Sequence, residues 1–196
     1  MKEIKVSPKF KTRILSGNLP NGPKIKELQF WCDEFIKTGL MPFYGGGSYG
    51  NLSFRTREDE FVITASGMKD PSSGNSFVTV SNVDLDEKTV YAHGEKPPSS
   101  ESMLHYMIYR KRKDVNAIFH GHCERVLKHA DKMGVPITLK EEPYGTIELA
   151  KTVLKIIDDN DFLIMKGHGF ISLGKSLDKA GKLALKVIGS MDKKKA

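Results

Sequence analysis

Ala117-Ile118-Phe119-His120-Gly121-His122 is the most informative stretch of this 196-residue chain. Its three leading side chains form an unbroken apolar run, the pattern of a strand buried on both faces. Residues two apart on a strand share a face, so His120 and His122 point the same way and can reach one ion. Gly121 between them leaves the opposite face bare, where backbone or a ligand can approach closely.

The segments on either side alternate between helical and strand patterns. Upstream, Ser99 is placed to cap a helix running to about residue 112, with Met103, Leu104, Met107 and Ile108 on one side. Downstream, residues 124–133 read as a helix and 137–139 as a short strand. A helix over 146–157 turns Leu149, Val153, Leu154 and Ile157 inward. Residues 162–165 and 170–173 are strand-like around Gly167-His168-Gly169, and 177–188 closes the chain as a helix.

Nearer the start, Ile25, Leu28, Trp31, Cys32, Phe35 and Ile36 recur at three- and four-residue steps, and Gly39 stands where the helix should stop. Strand-like runs at 51–55, 61–64, 77–80 and 89–91 follow, separated by turn-rich segments at 57–60 and 69–75. Strands first and mixed helices later predict one α/β or α+β domain over residues 24–190. Residues 1–23 are polar and broken by Pro8, Pro20 and Pro23, so a loosely packed arm is expected there. Residues 191–196 form a lysine-rich tail.

The net charge of +7 is unevenly spread. Residues 1–24 hold six basic side chains against Glu3, and residues 175–196 hold seven lysines against Asp178 and Asp192. The body of the chain is therefore mildly acidic. Basic ends of this kind suit loose polyanion contact more than a shaped nucleic-acid groove, so no specific nucleic-acid partner is expected. No apolar run approaches the roughly 20 residues of a membrane span, and residues 1–24 lack the apolar block of a signal peptide. A cytoplasmic protein without a membrane partner is the expectation. Cys32 and Cys123 lie far apart, which excludes a disulfide framework and a CxxC motif.

Gly45-Gly46-Gly47-Ser48-Tyr49-Gly50 satisfies G-x-G-x-x-G, but a dinucleotide fingerprint needs a strand before it and a helix after it. Here Asn51-Leu52-Ser53-Phe54-Arg55, which follows, is strand-like. Arg110-Lys111-Arg112-Lys113 reads as a solvated helix C-terminus.

Three histidines stand apart from the rest. His168 lies just beyond the strand at 162–165, and strand-end histidines from two neighbouring strands would complete a three-nitrogen site. Three protein ligands with an open position is the catalytic zinc pattern. Three unrelated hydrogen-bonded histidines are the competing reading. His93, His105 and His129 lie in polar or helical surroundings and are read as non-ligands. Pro97-Pro98-Ser99-Ser100-Glu101 opens a helix whose hydroxyls and free N–H groups suit a phosphate. Glu101 alone would be only a capping carboxylate. Gly50-Asn51 and Ser66-Gly67 add backbone donors and small polar side chains of the kind that cradle an oxyanion.

The order of these segments resembles the class II aldolase/adducin family. The resemblance is carried by Gly50-Asn51-Leu52-Ser53, Ile63-Thr64-Ala65-Ser66-Gly67, Pro98-Ser99-Ser100-Glu101, His120-Gly121-His122, Pro143-Tyr144-Gly145-Thr146 and Gly167-His168-Gly169. It implies an αβα sandwich around a mainly antiparallel central sheet, and a homotetramer with active sites at subunit boundaries. It implies His120, His122 and His168 as metal ligands, zinc (Zn2+) or another divalent ion as the metal, and Glu101 as an acid/base that also touches it. Gly50, Asn51, Ser66, Gly67, Ser99 and Ser100 would hold a substrate phosphate.

The activity implied is lyase cleavage of a short ketose 1-phosphate, nearest to that of L-fuculose-1-phosphate aldolases. Dihydroxyacetone phosphate and an aldehyde would form through an enediolate. Alternatives on the same scaffold are a sugar-phosphate 4-epimerase, a dehydratase, and a non-catalytic adducin-like interaction module; that branch generally lacks the histidines. The chain departs from the aldolase pattern after Gly134-Val135-Pro136-Ile137. The family places a tyrosine there, whereas this chain has Leu139, Lys140 and Glu141, with Tyr144 the nearest tyrosine. The C-terminal segment that supplies another tyrosine in longer relatives has no counterpart after residue 191. Lys140 or a water would then be the proton donor on the aldehyde side.

Overall fold

An eight-stranded sheet carries the fold. The computed structural model describes residues 9–44 and 46–193, with side chains described through residue 190. Its first half runs β1 (Lys11–Ser16), α1 (Pro23–Lys37), β2 (Phe43–Tyr44), β3 (Gly47–Ser48), β4 (Gly50–Arg55), β5 (Phe61–Thr64), β6 (Phe77–Asp84) and β7 (Thr89–His93). The second half runs α2 (Ser102–Lys111), β8 (Ala117–Gly121), α3 (Glu124–His129), α4 (Ile147–Leu154), β9 (Phe162–Met165), β10 (Gly169–Gly174) and α5 (Leu177–Lys193). The strand order is β1-β7-β6-β5-β4-β8-β10-β9, and β2 and β3 form a separate small hairpin. Every neighbouring pair in the large sheet is antiparallel except β1 and β7.

Helices cover both faces, because successive side chains on a strand point to opposite sides. Leu52, Phe54, Phe119, Phe162, Ile164 and Phe170 pack against α1, α3 and α5. Ile63, Ile118, Leu163, Ile171 and Leu173, from the same strands or their neighbours, pack against α2 and α4. Trp31 and Phe35 of α1 meet Phe119 edge-on, with ring centroids 5.9 and 5.3 Å apart. These contacts fix β8 in the middle of the sheet, between β4 and β10.

The sequence reading is corrected in four places. Lys11–Ser16 is not part of a loose arm: it pairs in parallel with β7, Lys11 opposite Thr89 and Ile14 opposite Ala92. Most of its side chains are exposed, so no apolar alternation betrays it. The helix expected from Ser99 begins at Ser102, because the extended Pro97-Pro98 segment bridges Ala65 and Ser99 N–H donates to Thr64 C=O (3.1 Å). Residues 124–133 divide into α3 and a 3-10 turn over Ala130–Lys132. Residues 137–139 contribute a single bridge, Ile137 to Ile164. The remainder of the expected arm over residues 1–8, Gly45 of the glycine cluster, residues 194–196 and the tail side chains lie outside the described residues.

Gly181 of α5 lies against the Trp31 ring so closely that a Cβ there would collide with the indole six-membered ring. Alanine improves helix propensity by about 1 kcal/mol, but forcing the buried indole aside costs about 1–3 kcal/mol. The expected outcome for Gly181→Ala is a net loss of stability, read as a lower urea midpoint with an unchanged m-value; a higher midpoint would contradict this packing.

Candidate metal centre

The middle of the sheet brings the three histidines together. His120 stands on β8, and His122 follows its end, with its N–H bonded to Leu40 C=O at 2.9 Å. His168 sits in the turn between β9 and β10, its N–H bonded to Met165 C=O at 3.0 Å. Gly121 pairs with both Gly50 and Phe170, so β4 and β10 flank the histidine end of β8. Two glycines make that approach possible. A Cβ on Gly169 would stand 2.8 Å from His120 Cε1 and collide with Gly121 C=O, and one on Gly121 would strike the Phe170 ring.

One ring nitrogen from each of His120, His122 and His168 lies within 4.8 Å of the others. His120 Nε2 and His122 Nε2 are 2.9 Å apart. His120 is fully buried, and its Nδ1 is 2.9 Å from Phe170 C=O. A carbonyl only accepts, so Nδ1 carries a proton and Nε2 is the nitrogen left to face the shared space. The Tyr49 ring packs edge-on against His122 at 5.7 Å, closing one side.

Glu101 faces this group from the residue before α2 and is 3% exposed. Its Oε2 lies 3.0 Å from His120 Nε2, and its Oε1 lies 3.2 Å from His168 Nε2. Asn51 Nδ2 donates to Oε2 at 2.8 Å. Burial alone would raise the Glu101 carboxyl, but attraction to His120 and His168 outweighs it and holds the group well below the usual carboxylate range. His168 shows the reciprocal effect: burial lowers it, and the nearby Glu101 charge more than reverses that. His122 is pushed down to about 3 by burial and then by His120 and His168.

The other expected site residues gather beside Glu101. Gly50 and Asn51 open β4, with Asn51 opposite His120. Ser66 N–H donates to Pro97 C=O (2.9 Å), next to the Ala65–Pro98 bridge, which sets Ser66-Gly67 against Ser99-Ser100. Ser99 Oγ accepts from Glu101 N–H at 3.4 Å, and Gly145 leaves only enough room for Ser100 C=O.

Two buried oxygens in this group, Glu101 Oε1 and Asn51 Oδ1, accept no hydrogen bond. Three imidazole nitrogens and a carboxylate with a spare lone pair form a donor set that suits a borderline divalent cation. The residues present therefore fit a metal ion.

The sequence reading missed His105, which it placed with the non-ligands without foreseeing its burial. His105 is fully buried, its Nδ1 is 2.7 Å from Ser53 Oγ, and its Nε2 has no partner. Glu101, His105 and Tyr109 recur every four residues and so share a helix face, but that spacing does not tell a buried face from a solvated one.

Fold and site together define a class of protein. Residues 27–190 match the family described as Class II Aldolase and Adducin N-terminal domain. The chain belongs to that family. It is 33% identical to L-fuculose phosphate aldolase of Methanocaldococcus jannaschii over 151 residues, 68% of this chain and 77% of that protein. A 136-residue match at 29% identity joins it to fluorothreonine transaldolase of Streptantibioticus cattleyicolor, covering 67% of this chain but only 20% of that longer protein. Among solved structures, an L-fuculose 1-phosphate aldolase superposes with a TM-score of 0.71 at 24% identity, over 88% of this chain and 84% of that one.

The buried His105 makes metal-free stability acid-sensitive. Burial, the largest cause, lowers it to about 3. A base whose folded-state pKa lies below its unfolded value of about 6.5 binds fewer protons when folded, so acid favours the unfolded chain. Its contribution is complete above about pH 6.5 and falls by up to about 1.4 kcal/mol per pH unit on acidification. Urea titrations in chelator between pH 6.5 and 4.5 should show a steeper loss for the wild type than for His105→Gln. Parallel slopes would contradict a neutral buried imidazole.

Proposed function

We propose that this protein is a metal-dependent, zinc-type aldolase that cleaves or forms a short ketose 1-phosphate. The products of cleavage are dihydroxyacetone phosphate and an aldehyde. The observation that carries the reading is the convergence of His120, His122 and His168, with the buried Glu101 carboxylate against two of them. Kinship with L-fuculose phosphate aldolases supports the substrate class.

A divalent ion held by the three histidines would supply Lewis-acid stabilisation of the negative charge that develops on the ketose oxygens. The chain's own residues do the rest. Gly50, Asn51, Ser66, Gly67, Ser99 and Ser100 grip the phosphate and align the C3–C4 bond, so that binding energy remote from the reaction contributes to its rate. In cleavage the C4 hydroxyl passes its proton to a water, the C4 oxygen becomes the aldehyde carbonyl, and the bond pair stays on C3. Glu101, once it has taken up a proton from solvent, delivers it to C3, and in the synthetic direction it removes that proton. Low proton affinity beside His120 and His168 keeps Glu101 ionised at rest, and on leaving them it becomes a competent base.

The proposed assembly is a homotetramer with the sites at subunit boundaries. Exposed Phe43 and Tyr44 support it, because Tyr44 packs on Tyr49, which in turn packs on His122. Such apolar surface beside a polar site suits a covering subunit.

The test is incubation of zinc-loaded protein with a panel of ketose 1-phosphates, fuculose and ribulose 1-phosphates included. Release of dihydroxyacetone phosphate is expected, abolished by chelation and restored by zinc. Glu101→Gln should lower kcat by roughly 10²–10⁴. Silence across the panel, or an epimerised or dehydrated product in place of dihydroxyacetone phosphate, would overturn the proposal.

A further inference from the structure

β4 is buried on both faces although its sequence alternates polar and apolar residues. Leu52 and Phe54 face α1 and α5. Asn51, Ser53 and Arg55 face α2, where Glu101, His105 and Tyr109 form a matching row one turn apart. The two rows interlock in register. Asn51 Nδ2 donates to Glu101, Ser53 Oγ lies 2.7 Å from His105 Nδ1 and 2.8 Å from Tyr109 OH, and the Arg55 guanidinium lies 4.7 Å from the Tyr109 ring centroid. Arg55 Nη2 also donates to Tyr109 C=O at 2.9 Å.

Accepting from both neighbours would leave the one Ser53 proton unpaired; with that proton spent inside the chain of three groups, two proton orders remain. In one, His105 Nδ1–H donates to Ser53 and Ser53 donates to Tyr109. That order turns a bare Nε2 lone pair into the buried side of the helix that carries the Glu101 charge. In the other, Tyr109 O–H donates to Ser53, Ser53 O–H donates to His105 Nδ1, and Nε2 carries the hydrogen. Every hydroxyl proton in the chain is then used, and the positive end of the imidazole dipole is the free one. A cation over the Tyr109 ring strengthens the phenol as a donor, which favours the second order.

We propose that Tyr109 and Ser53 hold His105 in the tautomer protonated at Nε2, and that His105 so fixed is a positioning residue for the Glu101 carboxylate. His105 Nε2 is buried with no hydrogen-bond partner, and its backbone N–H is bonded to Glu101 C=O at 3.1 Å. An N–H dipole one turn along the helix favours the ionised carboxylate in its histidine-facing pose. Losing the hydroxyl relay frees the imidazole to change tautomer and weakens that hold. The tautomer claim stands on the hydrogen bonds alone; its kinetic consequence rests on Glu101 being the acid–base group proposed above.

The experiment has two arms. Long-range 1H–15N spectra of the metal-free, 15N-labelled protein at neutral pH, with His105 assigned by its loss in His105→Gln, should show one neutral tautomer with the proton on Nε2. Tyr109→Phe keeps the ring and its cation contact but removes the hydroxyl, and it should convert the signal to a tautomer mixture. Ser53→Ala should do the same, and Ser53→Thr should restore the single tautomer. A wild-type Nδ1–H tautomer, or spectra indifferent to Tyr109→Phe and Ser53→Ala, overturns the proposal.

In the kinetic arm, Tyr109→Phe should lower kcat by about tenfold with KM and zinc content unchanged. An unchanged kcat overturns the positioning role. A wild type that cleaves none of the ketose phosphates removes the aldolase reading, and the spectra still decide the tautomer.

Discussion

A carboxylate buried to 3% exposure has to be compensated, and in this molecule two imidazoles and an amide do it. Taking a carboxylate out of water is costly by itself, and partners of opposite or dipolar charge must recover the loss. Meeting that requirement accounts for much of the architecture around Glu101. β8 must stand between β4 and β10 so that Asn51, His120 and the turn bearing His168 arrive together. Two strand glycines must stay bare so that backbones and rings can close up around His120. The extended Pro97-Pro98 segment must hold the start of α2 against Ala65 so that Glu101 reaches His120 and His168.

Much of this was legible in the sequence, for physical reasons that differ between elements. α1 and α5 declare themselves because an apolar stripe at helical spacing has no other use in a short polar segment. β9 is a continuous apolar run, and β5 and β10 nearly so, broken by Thr64 and Ser172, since both of their faces are covered by helices. His120 and His122 share a face by strand geometry, and their meeting with His168 was foreseeable once each was placed at a strand end. β1 was hidden because an edge strand paired on one side and exposed over most of its length has no hydrophobic signature.

His105 was hidden for the opposite reason. Its neighbours Met103, Leu104 and Ile108 mark a helix, but nothing in α2 alone reveals that the facing strand presents hydroxyl and guanidinium groups. Ser53 and Arg55 look like solvent-side residues of an alternating strand until a helix is laid over them. Their burial is a tertiary fact. Polar groups so enclosed are costly unless each finds a partner, and the pairing of β4 with the Glu101–His105–Tyr109 row gives every one of these side chains a partner while leaving Asn51 Oδ1, Glu101 Oε1 and His105 Nε2 unpaired. The same seam joins the surface at Arg55 to the site at Glu101, so the register of one helix on one strand sets the geometry of the proposed chemistry.

X-ray absorption at the metal edge of the zinc-loaded protein addresses the central claim most directly. Three imidazole nitrogens at about 2.0–2.1 Å, with oxygen completing the shell, are predicted for one ion per chain. A sulfur shell at about 2.3 Å, as Cys123 beside His122 would give, or fewer than three imidazoles, would contradict the assignment of His120, His122 and His168 as the ligands.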